Sequence, residues 1–393
     1  MLLSQLHDKF KIDEYYNHYP TVLAIYNDGL IKTLKSDNYK AANTPLPYLL
    51  SLVPYKISGK APDIKSLRAF NSLIALLCLL VISYFTKYIH NENNFIHLGV
   101  VFFYPYFLKP AFTYYLSIYG LLFFFITLYV VKIQSETILK WFWVGLSVAA
   151  AILSQQFYLV LIPAILLHII FFDESDIKSK VLKSFIFIVT SLLLTLPIFI
   201  IWNGLTHPNY TFHQINLDFT KFTSIFLISG SILFFYFLSV IKNLDKKVFA
   251  IFLAVSFLLN TFLYPEFSIK GGYEKITGYT FHFIHIIENF NYVLSFLVRF
   301  FLVSIGLYGV YDLINKMVTQ KDFILSLILI LIIVGFMFNE LLAERHLLPL
   351  VVLLILYSSF QIKSKHLLNL WFFFQVILGS GYFIYYLFYQ TNY

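Results

Sequence analysis

Charge is scarce in this chain, and the scarcity decides its class. Only 12% of the 393 residues are Asp, Glu, Lys or Arg, against 59% hydrophobic and 20% aromatic residues. An ordinary soluble domain is excluded by that balance, and apolar runs long enough to cross a bilayer recur along the sequence. Cysteine is almost absent: Cys78 alone, inside the first apolar run, rules out a disulfide framework and reads as a packing residue. Residues 1–20 carry charges and no apolar core, so no cleavable signal peptide is expected there. The formal charge of +8 does not point to nucleic acid, because the lysines cluster in short loops between apolar runs, as membrane orientation requires.

What is present is a series of apolar segments, at residues 69–89, 95–108, 111–133, 138–153, 157–173, 183–202, 223–242, 248–264, 291–315, 323–338, 346–361 and 367–389. They predict an all-α polytopic membrane protein with about 11–12 transmembrane or half-spanning helices, at roughly 20 residues per full crossing. The second segment ends at Pro105 and Pro110 and reads as a half-span, and only Ser154-Gln155-Gln156 separates the fourth from the fifth. Residues 1–69 precede this multi-span region, 70–393. In them Val22, Leu23, Tyr26, Leu30 and Leu34 recur at helical spacing with Lys32 and Lys35 off the stripe, which predicts an interfacial amphipathic helix. Thr44-Pro45-Leu46-Pro47 then makes a stiff turn into the short apolar run Tyr48–Tyr55. No internal repeat is evident, which counts against transporters built from two related halves.

Alternating the segments sorts the loops into two sets. One holds 13 lysines, from Lys87 to Lys365; the other, after residue 69, holds only Lys109, Lys221, Lys270, Lys275 and Arg345. The basic set belongs to the cytoplasm. Residues 1–69, 203–222, 265–290 and 339–346 then share the opposite face, although residues 1–69 themselves carry nine Lys and Arg. The Lys-, Ile- and Asn-rich usage points to a bacterial inner membrane ahead of the endoplasmic reticulum.

Two polar islands on that face carry the chemistry: Asp13-Glu14 and Glu344-Arg345-His346. A carboxylate can take a proton from an acceptor hydroxyl. An arginine fork grips phosphate bidentately, and a histidine adds a further donor. The pairing is what a transferase acting on a lipid-phosphate sugar needs. Against it stands the plain reading of a solvated acidic pair and an interfacial Arg345 paired with Glu340 or Glu344. Arg299 lies within a predicted span and must face a partner or a wet cavity, as a phosphate ligand or as half of an ion pair. His207 and His213 with Asp218 lack helical metal-ligand spacing and read as hydroxyl-binding or solvent-exposed residues; His282, His285 and Glu288 recur at i, i+3 and i+6.

The islands also match a family in order. Asp13-Glu14, then Asn43-Thr44-Pro45-Leu46-Pro47-Tyr48-Leu49, Leu67-Arg68-Ala69-Phe70-Asn71, Thr113-Tyr114-Tyr115, His207 to Gln214, and Leu341-Leu342-Ala343-Glu344-Arg345-His346 resemble the motifs of the dolichyl-phosphate-glucose α-1,2-glucosyltransferases. That family lies within the GT-C membrane glycosyltransferases. The chain departs from it at Ser154-Gln155-Gln156-Phe157, where the family has Arg-Gln-Thr-Asn, at His18, displaced from the family's histidine, and in having no apolar helix before the acidic pair. The resemblance implies a polyprenyl- or dolichyl-phosphate sugar as donor, a glycan or lipid-linked acceptor, and no resident cofactor. Its implied roles are Asp13 and Glu14 for catalysis, Arg345, His346 and Arg299 for the donor phosphate, and Thr44, His207, His213 and Gln214 for acceptor or sugar. A transporter or flippase of a lipid-linked or polar solute is the alternative, and an inactive scaffold of a glycan-assembly complex a third reading.

Overall fold

The computed structural model describes residues 14–90, 95–133, 137–209, 217–263, 276–277, 279–338 and 342–389. Among the described residues each apolar segment named above is mainly helical, with breaks at residues 103–104 and 113–116. In chain order the helices are α1 (Tyr19–Asp28), α2 (Leu30–Leu34), α3 (Leu46–Ser58), α4 (Ile64–His90), α5 (Phe95–Phe102), α6 (Pro105–Phe112), α7 (Ser117–Lys132), α8 (Ile138–Ile152), α9 (Leu161–Phe171), α10 (Ile177–Trp202), α11 (Thr220–Val240), α12 (Lys246–Phe262), α13 (Tyr279–Phe290), α14 (Tyr292–Thr319), α15 (Phe323–Met337), α16 (Leu348–Gln361) and α17 (Lys365–Tyr389). A two-residue parallel pairing, Ile276–Thr277 with Leu342–Ala343, accompanies them.

Among the described residues five helices are long and apolar enough to cross a membrane: α4, α10, α11 with its 3-10 extension, α14 and α17. The bent pair α5–α6 makes a sixth if it counts as one span, with a 75° bend at the break. The chain therefore has the architecture of an all-helical polytopic membrane protein. Twelve crossings are not reached on length alone. Helices α7, α8, α15 and α16 have 14–16 residues, and at 1.5 Å per residue such helices fall short of a hydrocarbon core of roughly 30 Å. The long helices carry exposed apolar faces. Along α10, Val181, Phe185, Val189, Leu193, Leu196 and Ile200 are all exposed.

The amphipathic helix expected in residues 19–35 is broken. Gly29, at φ +83°, divides it into α1 and α2, a conformation that an L side chain rarely adopts. Of the stripe, Val22 and Leu34 are buried and Leu23, Tyr26 and Leu30 half-buried; Ile25, outside it, is buried too, and Lys32 and Lys35 are exposed. Pro45 and Pro47 start α3 as expected, because a proline in the first turn removes an N–H that the helix leaves unpaired anyway.

The chain packs as two compact units. The first comprises residues 1–93, 102–212 and 377–393, and within it α8 packs between α7 and α10 while α4 lies on α7 and α6. The second comprises 94–101 and 213–376, and its centre is the pair α11 and α14, its most extensive helix pair. Their backbones approach closely at two glycines. A Cβ at Gly306 would overlap the Phe226 carbonyl oxygen, and one at Gly230 would overlap that of Leu302. Close helix approach through small residues is how membrane helices gain packing without a hydrophobic driving force.

Gly306→Ala should therefore destabilise the protein in detergent by about 1–3 kcal/mol, the usual cost of overpacking. Gly381→Ala, where a Cβ meets nothing within 4 Å, should be neutral or mildly stabilising. Thermal unfolding followed by circular dichroism distinguishes them; equal effects of the two substitutions would contradict this packing.

Candidate functional site

Glu14, one half of the first polar island, is buried at 1% exposure in a one-turn π-helix, Glu14–His18, that precedes α1. Its carboxylate is held by Arg68 from the second turn of α4: Nε donates to Oε1 at 3.0 Å and Nη2 to Oε2 at 2.6 Å. The backbone N–H of Tyr114 donates to Oε1 as well, at 2.7 Å. Both oxygens thus have fixed donors. Three turns of sequence logic meet here, since an arginine at the start of an apolar span needs a counter-ion and the nearest carboxylates lie in the N-terminal segment. Asp13, the other half of the island, lies outside the described residues.

Asn71, one turn beyond Arg68, fixes the chain that delivers Tyr114. Its Nδ2 approaches the carbonyls of Thr113 and Tyr115 at 2.8 Å each and that of Pro110 at 3.2 Å. Tyr114 in turn shares a hydrogen with Ser51 at 2.7 Å. His18, buried at the far end of the π-helix, meets the Tyr48 hydroxyl at 2.9 Å through Nδ1 and lies edge-on to the rings of Tyr114 and Tyr115. Four of the sequence segments singled out above, around Glu14, Tyr48, Arg68 and Tyr114, therefore converge in one buried network.

Thr44 and His207 are attached to the same network. The Thr44 hydroxyl donates to the Ile152 carbonyl at 2.8 Å, Leu46 N–H donates to the Leu153 carbonyl at 2.9 Å, and Gln156 Nε2 donates to the Ala42 carbonyl at 2.5 Å. The Thr44 turn is thereby stitched to the Ser154-Gln155-Gln156 break between α8 and α9. Its hydroxyl hydrogen is committed to that tether. His207 is buried, stacked on Tyr39 with ring centroids 5.3 Å apart and edge-on to Trp202 at 5.8 Å. Tyr39 also packs on Tyr48 and donates to the Asn43 carbonyl at 2.5 Å. Burial pushes the His207 imidazole below its ordinary value, against the opposing pull of the Leu34 backbone and Asp37 charge. His213 and Gln214 lie outside the described residues.

The remaining candidates belong to the second unit. Arg299, in the second turn of α14, is buried; Nη1 lies 3.7 Å from Glu288 Oε1, and its guanidinium sits 5.7 Å from the Tyr292 ring centroid. Arg345 and His346 occupy a 3-10 turn, Glu344–Leu347, directly before α16, with the Arg345 side chain outside the described residues. His285 meets Asn289 at 2.9 Å while Glu288 turns to Arg299, so the helical repeat of His282, His285 and Glu288 is divided between two jobs. Among the described residues no group of three or more His, Cys, Asp or Glu is placed to hold a metal ion.

Sequence reasoning passed over one further cluster. Tyr236 on α11 donates to Asp312 on α14, and Lys316 reaches the Tyr236 hydroxyl at 2.6 Å and Asp312 at 3.0 Å. The signal was present: Asp312 and Lys316 are one turn apart near the end of an apolar helix, where unsatisfied charge is costly. Comparison with protein-family models, curated proteins and solved structures finds no match to the chain.

Two measurements test the site's construction. Glu14→Gln leaves the Arg68 charge buried and should cost about 3–5 kcal/mol of stability, whereas Glu14→Gln with Arg68→Met should recover most of it. Additive losses in that double-mutant cycle would show that the pair is not coupled. His207 sets a pH dependence. Its folded pKa lies below the unfolded value of 6.5, so the unfolded state binds more protons in between. Stability should fall as pH drops below about 6.5 and should be complete above it. In His207→Phe that slope should flatten in unfolding midpoints measured between pH 5 and 8.

Proposed function

We propose that this protein is a GT-C-type membrane glycosyltransferase that moves a sugar, with glucose the first candidate, from polyprenyl or dolichyl phosphate to a glycan or lipid-linked acceptor at the non-cytoplasmic face. The observation that carries the reading is the convergence of Glu14, Arg68, Asn71 and Tyr114 in one buried network. These residues come from separate segments that resemble the glucosyltransferase family, and their meeting is what a shared site requires.

The network supports a division of roles within the acidic pair. Glu14 has both carboxylate oxygens occupied by Arg68 and the Tyr114 amide, so it anchors the segment. Asp13, its chain neighbour, is the general base that takes the acceptor hydroxyl's proton as that oxygen bonds to the anomeric carbon. The C1–O bond to the lipid phosphate breaks, and the leaving phosphate keeps its electron pair. Arg345 and His346 bind that phosphate. Their turn leads directly into α16, and helix N-termini favour anions through their unpaired N–H groups. Arg299 is the reserve cation, with Glu288 Oε1 3.7 Å from its Nη1.

The test is turnover of the purified protein with polyprenyl-phosphate glucose, read as release of polyprenyl phosphate. Asp13→Asn should lower turnover about 10²–10⁴-fold without changing the unfolding midpoint. Arg345→Lys, which keeps the charge and loses the planar fork, should impair transfer, and Arg345→Ala should weaken donor binding as well. Full turnover in Asp13→Asn would remove it from the mechanism. Solute movement into vesicles with no release of polyprenyl phosphate would favour the transporter instead.

A further inference from the structure

An open cleft of about 530 Å³ lies where α3 ends and α4 begins, in the first unit. Its size is within the roughly 300–1,000 Å³ range of small-molecule sites. Lys60, Asp63 and Ser66 are among its polar lining residues, and Ala69, Phe70 and Leu73 among its apolar ones. None of the residues around it belongs to the Glu14 network or to the phosphate-binding turn.

The level of the cleft follows from the charges on α4. That helix has 27 residues, about 40 Å at 1.5 Å per residue. Its interior from Ala69 to Thr86 carries no charge, whereas Lys65 and Arg68 precede that stretch and Lys87 follows it. Those 18 uncharged residues span about 27 Å, close to a hydrocarbon core. Asp63 and Ser66 consequently stand at headgroup level, and Phe70 and Leu73 at the start of the acyl region. From there Leu73, Leu76, Leu77 and Leu80 continue down α4 as an exposed apolar face.

The polar end carries one charge of each sign. Asp63 caps α4 by accepting the Ser66 N–H at 3.0 Å. Burial alone would raise its carboxyl, but the Ser66 and Lys65 donors and the Lys65 charge outweigh it and hold the group below its ordinary value. Lys60 has no carboxylate within ion-pair distance among the described residues. A cation site and an anion site thus open beside a membrane-spanning apolar face.

We propose that this cleft binds the headgroup of a zwitterionic aminophospholipid, its ammonium on Asp63, its phosphate on Lys60 and an acyl chain along the exposed leucines of α4. A fixed lipid here would brace the turn between α3 and α4, and with it the segment that delivers Arg68. The site is independent of the sugar transfer, which uses other residues.

The full-length protein, purified from nanodiscs of equimolar phosphatidylethanolamine and phosphatidylglycerol, is examined by native mass spectrometry for retained lipid. Phosphatidylethanolamine should be retained roughly fivefold over phosphatidylglycerol, the selectivity that about one exposed ion pair supplies. Asp63→Asn keeps the helix cap and removes the charge, so the preference should vanish with the fold intact by circular dichroism. Asp63→Lys should turn the preference toward phosphatidylglycerol. Equal retention of the two lipids by the unaltered protein, or an unchanged preference in Asp63→Asn, would overturn the proposal. So would displacement of the lipid by polyprenyl phosphate that Lys60→Ala abolishes, since the cleft would then be a donor site.

Discussion

The contact between Glu14 and Arg68 is the constraint on which the first unit depends. Arg68 enters at the boundary of an apolar helix, where its charge needs compensation, and Glu14 supplies it through two short charge-assisted bonds. The pair links residues 54 positions apart. Because both ions are almost wholly buried, the arrangement gains little over an apolar pair of the same shape, yet losing one partner is severe. Such a pair acts as a specifier of geometry, fixing where the N-terminal segment docks on α4.

Everything around it inherits that placement. Asn71 gathers the Pro110 carbonyl of α6 and those of Thr113 and Tyr115 in the bend that follows, so the Tyr114 amide is presented to Glu14 at a defined position. From Glu14 the one-turn π-helix reaches His18, then Tyr48, Tyr39 and His207 through hydrogen bonds and ring contacts. The Thr44 turn adds three tethers to the end of α8 and the break that follows it. A chain of packed rings and tethered backbone of this kind restrains the segment that carries Glu14.

Much of the fold was legible because the apolar runs among the described residues are mainly helical, and the stiff Thr44–Pro47 turn and the divided segment at Pro105 stand where the prolines put them. The number of full crossings was less legible. An apolar run of 15 residues and one of 25 look alike in composition, and only helix length against bilayer thickness separates them. Gly29 broke an amphipathic stripe because its backbone conformation, invisible in hydrophobic spacing, decides continuity. At the site, the acidic pair was visible, but the pairing of Glu14 with Arg68 was not. Ion pairing across 54 residues is a tertiary fact, and the scarcity of arginine was its sole local signal. The same holds for Thr44, whose tether to Ile152 spans 108 positions, and for Tyr236 with Asp312.

Sugar transfer from a polyprenyl phosphate is the central claim, and mass spectrometry on a donor panel tests it most directly. Purified protein in nanodiscs is incubated with polyprenyl-phosphate glucose, mannose, galactose and arabinose together with a lipid extract as acceptor. The account predicts that one donor is consumed, that polyprenyl phosphate appears in equal amount, and that one acceptor gains the mass of the sugar residue. All donors intact, with a protein that is folded and binds none of them, would contradict it.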